Sequence, residues 1–342
     1  MQRSDLKKVL GMFTLFVFVI LAIFLILLFN GFVKSGGFVD KSTCGDGTFY
    51  GDCSISKPLF CSGGELIELA SLCGCSEEGV KKGDSCNLEV FQEEEIRTFE
   101  YYFEGEMKEL SLSLYGGVNE HVKALPRSKL YSGDEVPNRG DFKFLKIEDE
   151  TQIVALQGLI SQIQNLAPNS KEDQARIAIS LVQNIPYGES SEVNEMSQEI
   201  RISKFPYQVL YENEGSCEGK SELLFLLLRE LSYGTAFFYY SLENHESVGI
   251  KCPVENSLFG SGYCFVETTS PSILGDYGGE YLGTGKLLSK PEVIFIGEGI
   301  SLDKGLKEYK DGKKMMNLRL GKSFSILFKE KCLKKLNERY GL

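Results

Sequence analysis

Three side chains with complementary chemistry follow one another in the middle of the chain: Cys217, His245 and Glu267. A thiolate attacks a carbonyl carbon, an imidazole moves the proton to the leaving group, and a carboxylate holds that imidazole in one tautomer. Cys217 heads the stretch GSCEGKSELLFLLLRELSYG, Gly215 to Gly234. Gly215 and Ser216 suit a turn and an N-cap, Leu223, Leu224, Phe225, Leu226, Leu227, Leu228 and Leu231 leave almost no polar face, and Gly234 suits the stop. The stretch therefore predicts a helix buried at the centre of a domain. A thiol at a helix start meets unpaired backbone N–H groups and the positive end of the dipole, both of which favour thiolate. A lone cysteine is more often a small core residue, so its partners carry the weight.

Those partners fall on strands. Thr235 to Ser241 (TAFFYYS) is rich in aromatic and β-branched residues, Leu242 to Asn244 suits a turn, and His245 opens HESVGIKC. A third strand, YCFVETT, places Tyr263, Phe265 and Glu267 on one face by alternation.

GSCEGKSELLFLLLRELSYG, NHESVGI and YCFVETTSP, taken with the upstream LVQNIPYG and KFPYQVLYENEG, resemble the core of the transglutaminase-like superfamily of cysteine acyl-transfer enzymes. The resemblance covers roughly half of the chain and is specific as a set. It implies an α+β fold with a papain/transglutaminase-like core, in which a buried helix bearing Cys packs on an antiparallel sheet. It implies Cys217 as nucleophile, His245 as general base and acid, and Glu267 as the residue that orients the imidazole. Two departures stand out: the third position is Glu where many relatives have Asp, which keeps Asp276 in reserve, and the chain has no Trp to assist an oxyanion. The Cys217 backbone N–H is one expected oxyanion donor, and Gln208 or Tyr211 the second.

The elements that must position these residues lie on both sides. Residues 9–33 carry no charge; at about 1.5 Å rise per residue they span about 37 Å, enough for a hydrocarbon core of about 30 Å. No small-residue cleavage site follows, and Arg3, Lys7 and Lys8 precede the span, so it reads as a single-pass helix with a cytoplasmic N-terminus and the remainder outside. Six of the 10 cysteines then crowd together at Cys44, Cys53, Cys61, Cys73, Cys75 and Cys86, without a C-x-x-C pair or a His, as in a disulfide-stapled module rather than a zinc site. Cys252 and Cys264 bracket a short connection that a disulfide can close, two core thiols being the alternative, and Cys332 is left over.

The expected organisation is a cytoplasmic tail at 1–8, a transmembrane helix at 9–33, a linker and Cys-rich module at 34–87, a β-rich lead-in at 88–146, a transglutaminase-like domain at 147–300 and a helical extension at 301–342. In the lead-in, EIRTFEYYFEGEMKELSLSLYGG alternates before a Gly-Gly turn, and DFKFLKI is expected to continue the strands. His121 reads as a surface residue. Amphipathic helices are expected at 153–166 and from Lys171 to Pro186, a polar surface loop beside the cleft from Gly188 to Ser203, and one more strand in KPEVIFIGEGISL. SILGDYGGEYLGTGK lacks the spacing of a phosphate-binding loop.

A net charge of −11 argues against nucleic acid as a partner. Neither a cofactor nor a metal is called for. The expected partners are a peptide or protein substrate outside the cell and the lipid bilayer through residues 9–33. Cleavage or transfer of amide bonds is the leading expectation; a non-catalytic surface module that keeps the fold is the rival, and an intact Cys217 and His245 pair weighs against it.

Overall fold

The computed structural model describes residues 21, 43–76, 79–87, 90–127, 136–193, 199–319 and 326–342. Apart from Leu21, the apolar stretch 9–33 lies outside them, as do residues 1–8; among the described residues no helix is long and apolar enough to cross a membrane. The chain divides into two units, Met1–Glu68 and Leu69–Leu342. In the first, β1 (Leu59–Ser62) and β2 (Glu65–Glu68) form an antiparallel hairpin, and a disulfide joins Cys44 to Cys61, both buried. So short a stretch buries little apolar surface; a cross-link over 17 residues, worth about 3 kcal/mol through the unfolded chain, stands in for a core.

The second unit opens with α1 (Ala70–Cys73) and the hairpin of β3 (Val80–Lys82) and β4 (Ser85–Asn87), stapled by Cys75–Cys86. Next, β5 (Glu94–Phe103) and β6 (Glu106–Tyr115) pair antiparallel, with Phe99, Tyr101, Leu110, Leu112 and Leu114 buried. Alternation was expected to end in a Gly-Gly turn, but the turn falls at Glu104 and Gly105, both at positive φ, and Gly116 with Gly117 instead opens α2 (Gly116–Ala124).

A larger correction concerns DFKFLKI. It forms α3 (Arg139–Ile147) and not a strand, because Asn138 and Asp141 make a capping box: Asp141 N donates to Asn138 Oδ1 at 3.2 Å and Asn138 N to Asp141 Oδ2 at 2.8 Å. Gly140, Lys143 and Ile147 then bury one helical face. The two amphipathic helices occur as expected, α4 (Glu150–Leu166) and α5 (Lys171–Asn184), N-capped by Asp149 and Ser170. The segment expected as a loop after Gly188 contains an antiparallel pair, β7 (Ser190–Val193) and β8 (Glu199–Ile202).

After α6 (Pro206–Glu212) comes α7 (Cys217–Glu230), in which residues 223–228 are fully buried. Burying each of these large apolar side chains stabilises the fold by about 1.5–3 kcal/mol, so α7 anchors the core. The helix stops before Gly234: Ser232 takes φ 77°. Gly234 is needed for a different reason, since a Cβ there would meet Lys251 Cδ at 2.8 Å.

The strands β9 (Thr235–Tyr240), β10 (His245–Lys251), β11 (Tyr263–Val266) and, beyond the small hairpin of β12 (Glu280–Tyr281) and β13 (Gly285–Lys286), β14 (Glu292–Gly297) follow. They form one antiparallel sheet in the order β11-β10-β9-β14, with β12 and β13 paired separately. On one face α7 packs through Phe225, whose ring stacks on Phe237 at 4.6 Å. The other face carries Phe238, Tyr240, Leu258, Phe265 and Tyr281. The expected helical extension is α8 (Lys307–Arg319) and α9 (Ile326–Tyr340), which pack through Met315, Leu318, Cys332 and Leu336 on Ile273. Cys252 is joined to Cys264 as the bracketing suggests, Cys53 and Cys73 are also oxidised, and Cys217 and Cys332 alone are free. The fold is thus α+β with antiparallel sheets.

Candidate active site

The register of the sheet brings two of the three residues together. Gly249 pairs with Phe265 and Val248 with Val266, so Glu267, one residue past the end of β11, falls opposite Ser247 and diagonal to His245 on the same face. His245 Nε2 lies 3.0 Å from Glu267 Oε2, and both side chains are fully buried. The second carboxylate oxygen accepts Thr268 N at 3.0 Å, Thr269 N at 2.9 Å and Thr269 Oγ1 at 2.7 Å. The two Thr after Glu267 therefore turn the chain back on its own carboxylate. That fold-back fixes the carboxylate against the imidazole.

Cys217 arrives from the helix side. Ser216 Oγ accepts Gly219 N at 3.4 Å and fixes the start of α7, while Gly215 is tied to the strand-like segment before it by Gly215 N to Pro186 O and Gly188 N to Gly215 O, each 3.1 Å. This places NIPYG beside the turn that presents the sulfur. The Cys217 side chain is half-buried, lines the same cavity as His245 and acts on that imidazole's titration. With Nε2 held by Glu267, Nδ1 is the ring nitrogen left for the sulfur, and Thr284 Oγ1 lies 3.1 Å from it. Tyr281 lies nearly parallel to the imidazole, at 5.7 Å between ring centres and 9° between planes.

Burial alone would push His245 down; the neighbouring Cys217 and the hydrogen-bonded, charged Glu267 more than offset it and raise the imidazole to about 10. Glu267 would be pushed up by burial, but His245 and the Thr269 donors hold it below the usual carboxylate range. The two shifts agree: each group stabilises the charged form of the other. As the first residue of α7, Cys217 also has a backbone N–H with no carbonyl partner within the helix, a donor for an oxyanion.

Cys217 and His245 line a cavity of about 260 Å³, whose wall also includes Thr284, Tyr187, Tyr239 and Arg139, while Glu267 lies behind His245 and out of it. Glu189, Ile202 and Ser203 also line it, so the segment after Gly188 does sit beside the cleft, though partly as paired strands. Thr284 reaches its place because Gly283, at φ +76°, lets the chain pass Tyr187, whose hydroxyl would lie 2.2 Å from any Cβ there.

Other expected residues are placed elsewhere. Asp276 does not touch His245: its carboxyl lies 2.7 Å from Arg319 Nη1, and burial pushes it up to about 6 against the pull of that guanidinium. Gln208 Nε2 donates to Glu212 Oε1 and Tyr211 OH to Glu95 Oε1, and neither side chain lines the cavity, so neither is the second oxyanion donor. His121 is half-exposed and bonded to Asp149 at 3.0 Å.

Two features escaped the sequence reading. Thr284 sits in a glycine-rich stretch that carries no local signal of contact with His245. Beside the site, and reaching the cavity wall through Glu218 and Glu246, lies a charge cluster in which Lys143 Nζ stands 2.8 Å from Glu218 Oε1, 2.7 Å from Glu222 Oε1 and 2.8 Å from Glu246 Oε1, with Lys146 Nζ 2.5 Å from Glu222 Oε2. Burial disfavours the Lys143 charge, yet the three carboxylates hold it well above the ordinary lysine range. The spacing of Arg139, Lys143 and Lys146 is the signal that could have found it, once the segment is read as a helix. No protein-family model matches the chain, and no curated protein is similar to it.

Proposed function

We propose that the chain is a membrane-anchored, extracytoplasmic thiol enzyme with a transglutaminase-like core, acting on amide bonds of peptides or proteins through an acyl-enzyme on Cys217. One observation carries this reading: His245 shares a cavity wall with Cys217 and is bonded on its far side to the buried Glu267. A Cys-bearing buried helix laid on an antiparallel sheet supports the kinship with papain-like cores. Eight of the 10 cysteines are oxidised, which supports an oxidising compartment, and Cys217 is nevertheless free. The uncharged stretch 9–33 is the anchor in this reading.

The chemistry follows from the roles. The Cys217 sulfur attacks the carbonyl carbon, and negative charge gathers on the carbonyl oxygen near the Cys217 N–H. His245 gives its proton to the departing amine as the C–N bond breaks, leaving a thioester. Water or a second amine then attacks the thioester carbon, His245 takes the proton of the attacker, and the sulfur leaves. Glu267 holds the ring and its charge throughout. Water is the preferred acceptor, because a thioester at a cavity wall meets solvent unless a closed channel excludes it.

The test uses the detergent-solubilised full chain and a peptide library read by mass spectrometry. Wild type releases or aminates peptides and Cys217→Ala does neither; equal turnover by both refutes the reading.

A further inference from the structure

We propose that Lys143 is a positioning residue that sets the spacing of Cys217 and His245 by gripping the residue next to each. This deepens the proposed function and rests on it. Glu218 follows the nucleophile on α7, and Glu246 follows the imidazole on β10. Both carboxylates close on the same ammonium, each at 2.8 Å, although the two residues belong to different elements. Alternation along β10 explains the division of labour. His245 faces Glu267 on one side of the sheet, while Glu246 faces α7 and α3 on the other.

The grip is built rather than incidental. Lys143 is 2% exposed and Glu246 3%, and its third partner Glu222 is fully buried one turn after Glu218, whose own carboxyl is 41% exposed. Ser221 Oγ donates to the Glu246 carbonyl at 3.2 Å, a second tie between the same helix and the same strand. Lys143 itself cannot slide: Lys146 on the same helix holds the other oxygen of Glu222, and Ile147 is fully buried. A buried cluster of this kind is poor evidence for stability, since well-packed apolar residues often serve as well. What apolar packing does not supply is a fixed distance between two neighbours of reacting atoms. A displacement of about 1 Å between reacting groups can cost about a hundredfold in rate.

Removing Lys143 would strand buried carboxylates and can unfold the protein, so the informative variants are Glu218→Ala and Glu246→Met. Each frees one arm and leaves Lys143 paired with Glu222. Three quantities are read on the full chain: kcat and KM on a peptide substrate, the rate of Cys217 alkylation by iodoacetamide between pH 5 and 10, and the melting temperature. We expect each single variant to lose about tenfold in kcat with KM within about twofold, and to shift the alkylation profile. The double variant should lose about the same tenfold rather than about a hundredfold, because the link from Glu218 through Lys143 to Glu246 needs both arms and either cut breaks it. Wild-type kcat and alkylation profile in both single variants, or losses that multiply in the double, overturn the proposal and leave a structural cluster. Should wild type turn over no peptide, the proposed function fails while the alkylation profile still decides the tether.

Discussion

Replacing Glu267 by Gln tests the site at its most constrained point. The native carboxylate accepts four hydrogen bonds, one from His245 and three from Thr268 N, Thr269 N and Thr269 Oγ1. An amide of nearly the same shape can satisfy only one arrangement: its oxygen must take the Thr donors, which forces its NH2 toward His245 Nε2. That nitrogen must then be unprotonated, leaving the ring proton on Nδ1, where the imidazole can no longer take a proton from Cys217. The loss of a charge-assisted bond costs roughly 1.5–3 kcal/mol of stability. The corresponding carboxylate-to-amide change in a Ser-His-Asp triad costs about ten-thousand-fold in kcat, about 5 kcal/mol of barrier, and a thiol, which needs less help from a base, should lose about a hundred- to ten-thousand-fold. The assay is single-turnover acylation by a peptide thioester or ester across pH 5–10, with circular dichroism to certify folding. Glu267→Gln acylating at the wild-type rate with the wild-type pH profile would refute the assignment of Glu267, whatever the fate of Cys217.

The pH dependence of stability has a definite sign. His245 is raised from 6.5 to about 10, so its contribution is complete below pH 6.5 and disappears as pH rises through about 10; the wild-type melting temperature should fall over that window, and Glu267→Gln should flatten the fall. Glu246 is pushed up to about 7, chiefly by burial, so stability also declines as pH rises from 4.5 through 7, a slope that Glu246→Met removes in melts at pH 5 and pH 8. Lys220, fully buried one turn after Cys217, donates to the carbonyls of Gln183, Ile185 and Thr269, and Lys220→Met strands them at a cost of about 2–4 kcal/mol; urea unfolding checks the loss. Replacing Cys252 and Cys264 by Ser opens a 12-residue loop beside the strand leading to Glu267 and should cost about 3 kcal/mol in the same assay. Finally, a maleimide should label Cys217 in the native protein and Cys332 only after denaturation, since Cys332 is 7% exposed; peptide mapping distinguishes the two.

The parts of the fold that read clearly were those with one dominant local signal. The all-apolar run at residues 223–228, the N-cap at Ser216, the aromatic and β-branched content of β9 and the alternation of β11 each have one reading, and together they put Cys217, His245 and Glu267 on neighbouring elements. Short segments with two competing periods were harder. DFKFLKI alternates like a strand, yet its capping box and the buried Lys143 require a helix, and a lysine facing inward breaks the rule that apolar residues mark the core. The Gly-Gly pair after β6 looks like a turn but opens α2, because Glu104 and Gly105 had already reversed the chain. Long-range partners left no local trace: Thr284 meets His245 across 39 residues, and Asp276 was within sequence reach of the imidazole yet pairs with Arg319.

The central claim is that the Cys217 sulfur carries the acyl group. Incubating the full chain with a peptide ester, quenching in acid and mapping the digest by mass spectrometry tests it most directly. An acyl adduct on Cys217, absent from Cys217→Ala and strongly reduced in His245→Ala, is the predicted result. Product formation with no adduct on Cys217, or an undiminished yield in the Cys217→Ala protein, would contradict it.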